Sequence, residues 1–254
     1  MKIHYREMGE GQAFVILHGL FGYSDNWQTQ AKKISEYYRV ILVDQRNHGH
    51  SPWSDEFSYE LMAEDLLELF IELDLKKVIL MGHSMGGKTA MVYAQHHKEY
   101  LEKLIVIDMG IKQYPMHHEE ILKGLHSIDL TKDLSRSKAE EKLNQYVESP
   151  GVRQFLLKNL YWNEQKKLAW RMNIEVLERK MDEILKAIDP HLEVLVPCLF
   201  IRGELSNYIL EEDWDEIEAV FPDSQLISIP NAGHWVHAEA PTAFLDSVLG
   251  FCLR

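Results

Sequence analysis

The chain has 254 residues, 46% of them hydrophobic and 26% charged, and a formal net charge of −13. That length suits one α/β unit with an insertion, and the apolar share is enough for a sizeable core. The acidic balance, with no run of Lys or Arg able to track a phosphate backbone, excludes nucleic acid as a partner. No stretch approaches the ~18 apolar residues of a membrane span.

Met1-Lys2-Ile3-His4-Tyr5-Arg6-Glu7 lacks the apolar h-region of a signal peptide. Cys198, in an apolar run, and Cys252, near the end, read as small core residues, which points to a reducing cytosol. Ile3 to Met8 alternates loosely and predicts an opening edge strand. Ala13-Phe14-Val15-Ile16-Leu17 is a continuous apolar run, the mark of a strand buried on both faces of a parallel sheet. It ends in the loop His18-Gly19-Leu20-Phe21-Gly22, after which a helical stretch from Asp25-Asn26-Trp27 runs to about Tyr37.

Val40 to Val43 predicts the next buried strand, followed by the polar turn Asp44-Gln45-Arg46-Asn47-His48-Gly49-His50-Ser51-Pro52. Ser58 to Leu73 has apolar residues at helical spacing. Val78-Ile79-Leu80-Met81 is a strand, Gly87 to Gln95 a helix, and Leu104-Ile105-Val106-Ile107 a strand ending in Asp108. Strand alternating with helix implies parallel strands joined by right-handed crossovers.

After Gly110 the alternation stops. Residues 111–192 show helical periodicity and no convincing strand, with helices expected over Leu125–Leu134, Ala139–Val147, Val152–Leu160 and Ile174–Ile188. Between Ile111 and Val196 lie 14 Lys or Arg and 14 Asp or Glu, so the whole net charge of −13 sits on the rest of the chain. An inserted segment with its own character fits that shift. Strands return at Val196–Ile201 and Gln225–Ile229, and a last helix starts near Pro241. The expected organisation is a core of residues 1–110 and 193–254 with an insertion at 111–192.

Gly82-His83-Ser84-Met85-Gly86, between a strand and a helix, has the form of a nucleophile elbow. The serine of such a turn is strained, and flanking glycines let strand and helix approach without collision. A serine hydroxyl needs a base, and the base an orienting carboxylate; in this architecture both follow the serine in the chain. Among the 13 histidines, His234 lies in a loop after a strand and a glycine, with His237 the competitor. His83 supports the elbow, and His96, His97, His117 and His118 read as solvated helix faces. Asp108 ends the strand expected beside that of Ser84, and is favoured as the acid over Glu204, which ends the next strand. Asp44 precedes the serine and reads as a turn residue. An oxyanion needs donors: the main-chain N–H of Met85, after the nucleophile, and that of Leu20, in the first loop. His18 reads as a structural histidine of that loop. Neither His117-His118 nor His48-x-His50 brings a third ligand at a metal spacing, so no metal is expected.

With these residues in place the chain resembles the α/β-hydrolase superfamily and, within it, the YbfF-like esterases. The resemblance rests on Leu17-His18-Gly19-Leu20-Phe21-Gly22, Asp25-Asn26-Trp27, Val43-Asp44-Gln45-Arg46-Asn47-His48-Gly49-His50-Ser51, Gly82 to Lys88, Ile107-Asp108 and Gly233-His234-Trp235. It implies an α/β-hydrolase fold: a mostly parallel sheet flanked by helices, with the insertion as a helical cap. It also implies hydrolysis of carboxylic esters or acyl-CoA thioesters through Ser84, Asp108 and His234, without a cofactor; the expected partner is a small-molecule substrate, and the chain is expected to be a monomer or homodimer. Where most of the superfamily has its acid, this chain has Ser206; the YbfF-like group uses the Asp after the preceding strand, here Asp108. Tyr161, Trp162 and Trp170 are candidates for an acyl pocket or for the cap's own core, with Phe21 on the opposite wall. The same triad can also serve lyase or carbon–carbon cleavage chemistry, the alternative reading.

Overall fold

The apolar runs assemble into one twisted sheet. A computed structural model describes residues 1–131 and 135–253. Its strands are β1 (Tyr5–Met8), β2 (Ala13–Leu17), β3 (Arg39–Val43), β4 (Val78–His83), β5 (Leu101–Ile107), β8 (Cys198–Gly203) and β9 (Ser224–Ile229), with a separate pair β6 (Leu160–Trp162) and β7 (Leu168–Trp170). The large sheet runs β1-β3-β2-β4-β5-β8-β9. Only β1, at the edge, is antiparallel.

Alternate residues of each strand feed two cores. Phe14, Ile16, Ile79, Met81, Ile105 and Leu199 pack under α1 (Gln28–Ile34) and α11 (Pro241–Cys252). Val15, Leu17, Leu80, Val106 and Phe200 face α2 (Tyr59–Glu72), α3 (Met85–His97) and α9 (Trp214–Val220). Two-sided burial is why these strands read as unbroken apolar runs. Ser58 caps α2 by accepting the N–H of Leu61 at 3.2 Å, which ends the polar loop before it. The stretch after Asp25 is a 3-10 turn (Ser24–Trp27) leading into α1.

Between β5 and β8 lie α4 (Glu119–His126), α5 (Arg136–Leu143), α6 (Pro150–Leu157), the β6–β7 hairpin, α7 (Ile174–Arg179) and α8 (Met181–Leu185). The hairpin corrects the all-helical expectation. Leu160 pairs with Trp170 and Trp162 with Leu168, across a turn in which Lys166 takes a φ of 58°. The last three residues of the expected 125–134 helix lie outside the described residues. The expected helix over Ile174–Ile188 is split at Lys180, where φ is −103° and ψ 16°.

Both connections of this segment meet one buried side chain. Lys88 of α3 donates from Nζ to the carbonyl of Lys112 at 2.9 Å, to that of Leu185 at 3.3 Å and to that of Lys186. Its ammonium also lies 5.0 Å from the centre of the Tyr114 ring. Burial lowers its pKa to about 7.

Candidate active site

Ser84 sits between β4 and α3 with φ 53° and ψ −121°, a conformation that a non-glycine residue holds only under constraint. Its neighbours explain the motif. A Cβ on Gly82 would lie 2.1 Å from the carbonyl oxygen of Gly86, and one on Gly86 would lie 2.5 Å from that of His18. No side chain fits at either position. The turn is tied to the next strand by the N–H of Ser84, which donates to Ile107 O at 3.1 Å.

Asp108 also takes a positive φ, 48°, at the end of β5, and is fully buried. Its Oδ1 accepts the N–H of Gly203 at 3.1 Å, and its Oδ2 accepts the Ser206 hydroxyl and the Nδ1–H of His234, the latter at 2.7 Å. Burial works against charge on both members of the pair. It pushes the Asp108 carboxyl up, opposed by the Ser206 and Gly203 hydrogen bonds, and pushes the His234 imidazole down. One proton on Nδ1, donated to the carboxylate, satisfies both and leaves Nε2 as an acceptor. Glu204 points elsewhere, accepting the N–H of Asn231 at 3.1 Å.

The ring of His234 is held on several sides. Tyr208 stacks on it at 3.9 Å and 17°, and Nε2 of His83 donates to its carbonyl at 2.9 Å. Glu239 accepts the N–H of Gly233 at 2.6 Å and that of Trp235 at 3.3 Å, bracing the loop. His83 is pushed to about 3 by burial and is neutral. His237 stacks on Trp27 at 4.1 Å, in the packing beneath the loop.

The polar turn after β3 builds the loop opposite. Asp44 accepts the N–H groups of Ser24 at 2.7 Å and His50 at 2.9 Å. Gly49, with φ 58°, has no room for a Cβ against that carboxylate. The N–H of Gln45 donates to Nε2 of His18 at 3.0 Å, and that of Phe21 to Nε2 of His48 at 3.2 Å. Burial keeps both rings neutral, His48 at about 3, so each accepts on one nitrogen and donates on the other. Arg46 is buried against Asp65, 2.7 Å from Nε to Oδ2. Asn159, from the inserted segment, donates to Phe21 O at 2.7 Å. So fixed, the N–H of Leu20 has no acceptor among the described residues. The N–H of Met85, first residue of α3, belongs to the helix turn that has no intrahelical acceptor.

Ser84 and His234 face one cavity of about 120 Å³. No hydrogen bond joins the Ser84 hydroxyl to His234 among the described residues. The apolar wall comes from Phe21, Ile121, Val152, Phe155, Leu156 and Trp235, with no Asp, Glu, Lys or Arg among the described lining residues. This decides between the two readings of the inserted aromatics, Trp170 packing against the core, and corrects one expectation. Tyr161, Trp162 and Trp170 lie on the hairpin away from the cavity, and Trp162 is 58% exposed. His117 and His118 precede α4 and line the cavity, His118 edge-on to Phe21 at 6.3 Å. Among the described residues one further group, His4, Asp44 and His50, has metal-ligating side chains close together. Asp44 is engaged as above, and Arg171 donates to Nε2 of His50 at 2.7 Å, which puts the His50 proton on Nδ1 toward Asp44. Those bonds already account for both groups.

Comparison with known proteins agrees with the fold. Residues 12–127 match the family model described as alpha/beta hydrolase fold. The chain is 37% identical over 247 residues to the sn-1-specific diacylglycerol lipase ABHD11 of Mus musculus, covering 94% of this chain and 80% of that one. It is 35% identical over 240 residues to the esterase YbfF of Escherichia coli (strain K12), covering 92% and 90%. A solved marine microorganism esterase superposes with a TM-score of 0.96 at 41% identity, covering 98% and 99% of the two chains.

Proposed function

The chain belongs to the α/β-hydrolase family, alongside the YbfF-like esterases, and on that premise we propose that it is a serine esterase and thioesterase working through an acyl-enzyme. Ser84 attacks the carbonyl carbon while Nε2 of His234 takes its proton, and Asp108 stabilises the imidazolium. The N–H groups of Leu20 and Met85 hold the oxyanion, each worth roughly 3 kcal/mol of barrier. As the tetrahedral intermediate collapses, His234 returns the proton to the leaving oxygen or sulfur. Water then attacks the acyl-Ser84 ester by the same route and releases the acid. Residues 111–192 act as a cap that closes the cavity with Ile121, Val152 and Phe155. The two cysteines are buried and free, which suits work in the cytosol.

The reading rests on one observation: a strained serine and a histidine share a cavity, and that histidine is 2.7 Å from a buried carboxylate. A fluorophosphonate should label Ser84, and an aryl ester should turn over with a burst of alcohol. Labelling with every ester inert would move the assignment to lyase or carbon–carbon cleavage chemistry. Absence of labelling would end the serine mechanism.

A further inference from the structure

Ser84 stands at the junction of two chambers. The larger, of about 120 Å³, has Phe155 and Trp235 in its wall together with the imidazole of His234. The smaller, of about 20 Å³, is bounded by Tyr59, Met85, Met109, Tyr114, Ile184 and Leu185. Leu20, His117, His118 and Tyr208 face both. The Tyr208 hydroxyl and Nε2 of His117, 2.6 Å apart, tie the inserted segment to the loop after β8 along that boundary. His234 borders only the larger chamber, and Met85 only the smaller.

That asymmetry orients a substrate, given the hydrolase mechanism proposed above. The tetrahedral carbon carries the Ser84 oxygen, the oxyanion, the leaving group and the acyl chain. The oxyanion is fixed by the N–H groups of Leu20 and Met85. The leaving atom must lie at His234 to receive its proton, so its substituent extends into the larger chamber. The acyl chain takes the remaining direction, past Met85. We propose that the smaller chamber is the acyl subsite and the larger the leaving-group subsite, which makes the protein selective for esters and thioesters of short-chain acids with bulky apolar alcohols or thiols. A water-sized group needs ~10–15 Å³, so about 20 Å³ receives an acetyl or propionyl chain and not an octanoyl one. Tyr59 fixes the far wall by donating its hydroxyl to the carbonyl of Ile184 at 2.5 Å.

The test measures kcat/KM for two ester series on the full chain. One is p-nitrophenyl esters from acetyl to decanoyl; the other is acetates of alcohols of increasing length. Wild type should lose on the order of 100-fold from propionyl to octanoyl, the scale on which an apolar pocket discriminates size, and tolerate long alcohols. Ile184→Ala and, separately, Met109→Ala should raise the octanoyl-to-acetyl ratio about tenfold. Phe155→Ala should alter the alcohol series and leave the acyl ratio in place. Two positions are enlarged so that one unstable variant does not silence the test. A wild-type preference for octanoyl, or an acyl ratio that moves with Phe155→Ala and not with Ile184→Ala or Met109→Ala, overturns the assignment. Fluorophosphonate labelling of Ser84 runs beside it. A labelled enzyme with the wrong chain preference refutes the subsites alone, whereas an unlabelled one refutes the serine mechanism.

Discussion

Replacing Asp108 with Asn keeps the shape of the side chain and exchanges one carboxylate oxygen for a donor. In the native site Oδ1 accepts from Gly203 and Oδ2 accepts from both Ser206 and His234. With the amide oxygen toward Gly203, the NH₂ meets Nδ1 of His234 and forces the ring proton onto Nε2. That tautomer cannot take the proton of Ser84. With the amide reversed, the NH₂ faces the Gly203 N–H, leaving a buried donor unpaired at about 1–3 kcal/mol. The first arrangement is favoured, and it predicts a fall in kcat of about 10⁴, or ~5.5 kcal/mol of barrier. Glu204→Gln retains an oxygen for the Asn231 N–H and should change kcat by less than about twofold. Steady-state hydrolysis of a p-nitrophenyl ester, with thermal unfolding to confirm the fold, measures both. A thousandfold loss in Glu204→Gln with Asp108→Asn within tenfold of wild type would refute the assignment.

Ser84→Ala should remove turnover by about 10⁶-fold with an unchanged melting temperature; residual turnover near wild type would exclude Ser84 as nucleophile. Gly86→Ala should lower the melting temperature sharply, because the added Cβ meets the main-chain oxygens of His18 at 2.5 Å and Leu17 at 2.6 Å; a melting temperature within a degree of wild type would contradict that contact. His48 and His83 are held at about 3 by burial against an ordinary 6.5, so the unfolded chain binds the extra protons. Stability is full above 6.5 and declines as pH falls toward 3, by up to ~1.4 kcal/mol per pH unit for each ring. Urea unfolding at pH 7 and pH 5 checks this, and equal midpoints would refute it.

The buried strands were legible because a strand covered on both faces has no polar alternation to blur it. The elbow was legible too, since its glycines answer to collisions at particular atoms. The β6–β7 hairpin was not. Leu160-Tyr161-Trp162 and Leu168-Ala169-Trp170 are three residues each, too short for a period, and their turn lacks the glycine that would announce it. From the residues alone, Asp108 and Glu204 were both carboxylates at strand ends. The positive φ of Asp108 and the pairing of β5 with β8 bring Asp108, and not Glu204, to His234. Ser206 stands where the superfamily resemblance expects an acid, and its hydroxyl donates to Asp108. The pair His117-His118 resembles a solvated face in sequence, and nothing nearby signals that Phe21, about 95 positions earlier in the chain, packs against the second ring.

Lys88 fastens the inserted segment to the helix layer of the sheet. Its ammonium is anchored on the helix behind Ser84 and grips the peptide oxygens of both necks through which the insertion leaves and rejoins the sheet. Pulling either neck away would take carbonyl acceptors from an ammonium whose pKa burial has already lowered to about 7, so the side chain would shed its proton. If the insertion is the cap proposed above, these three carbonyls are the points at which it is fastened to α3.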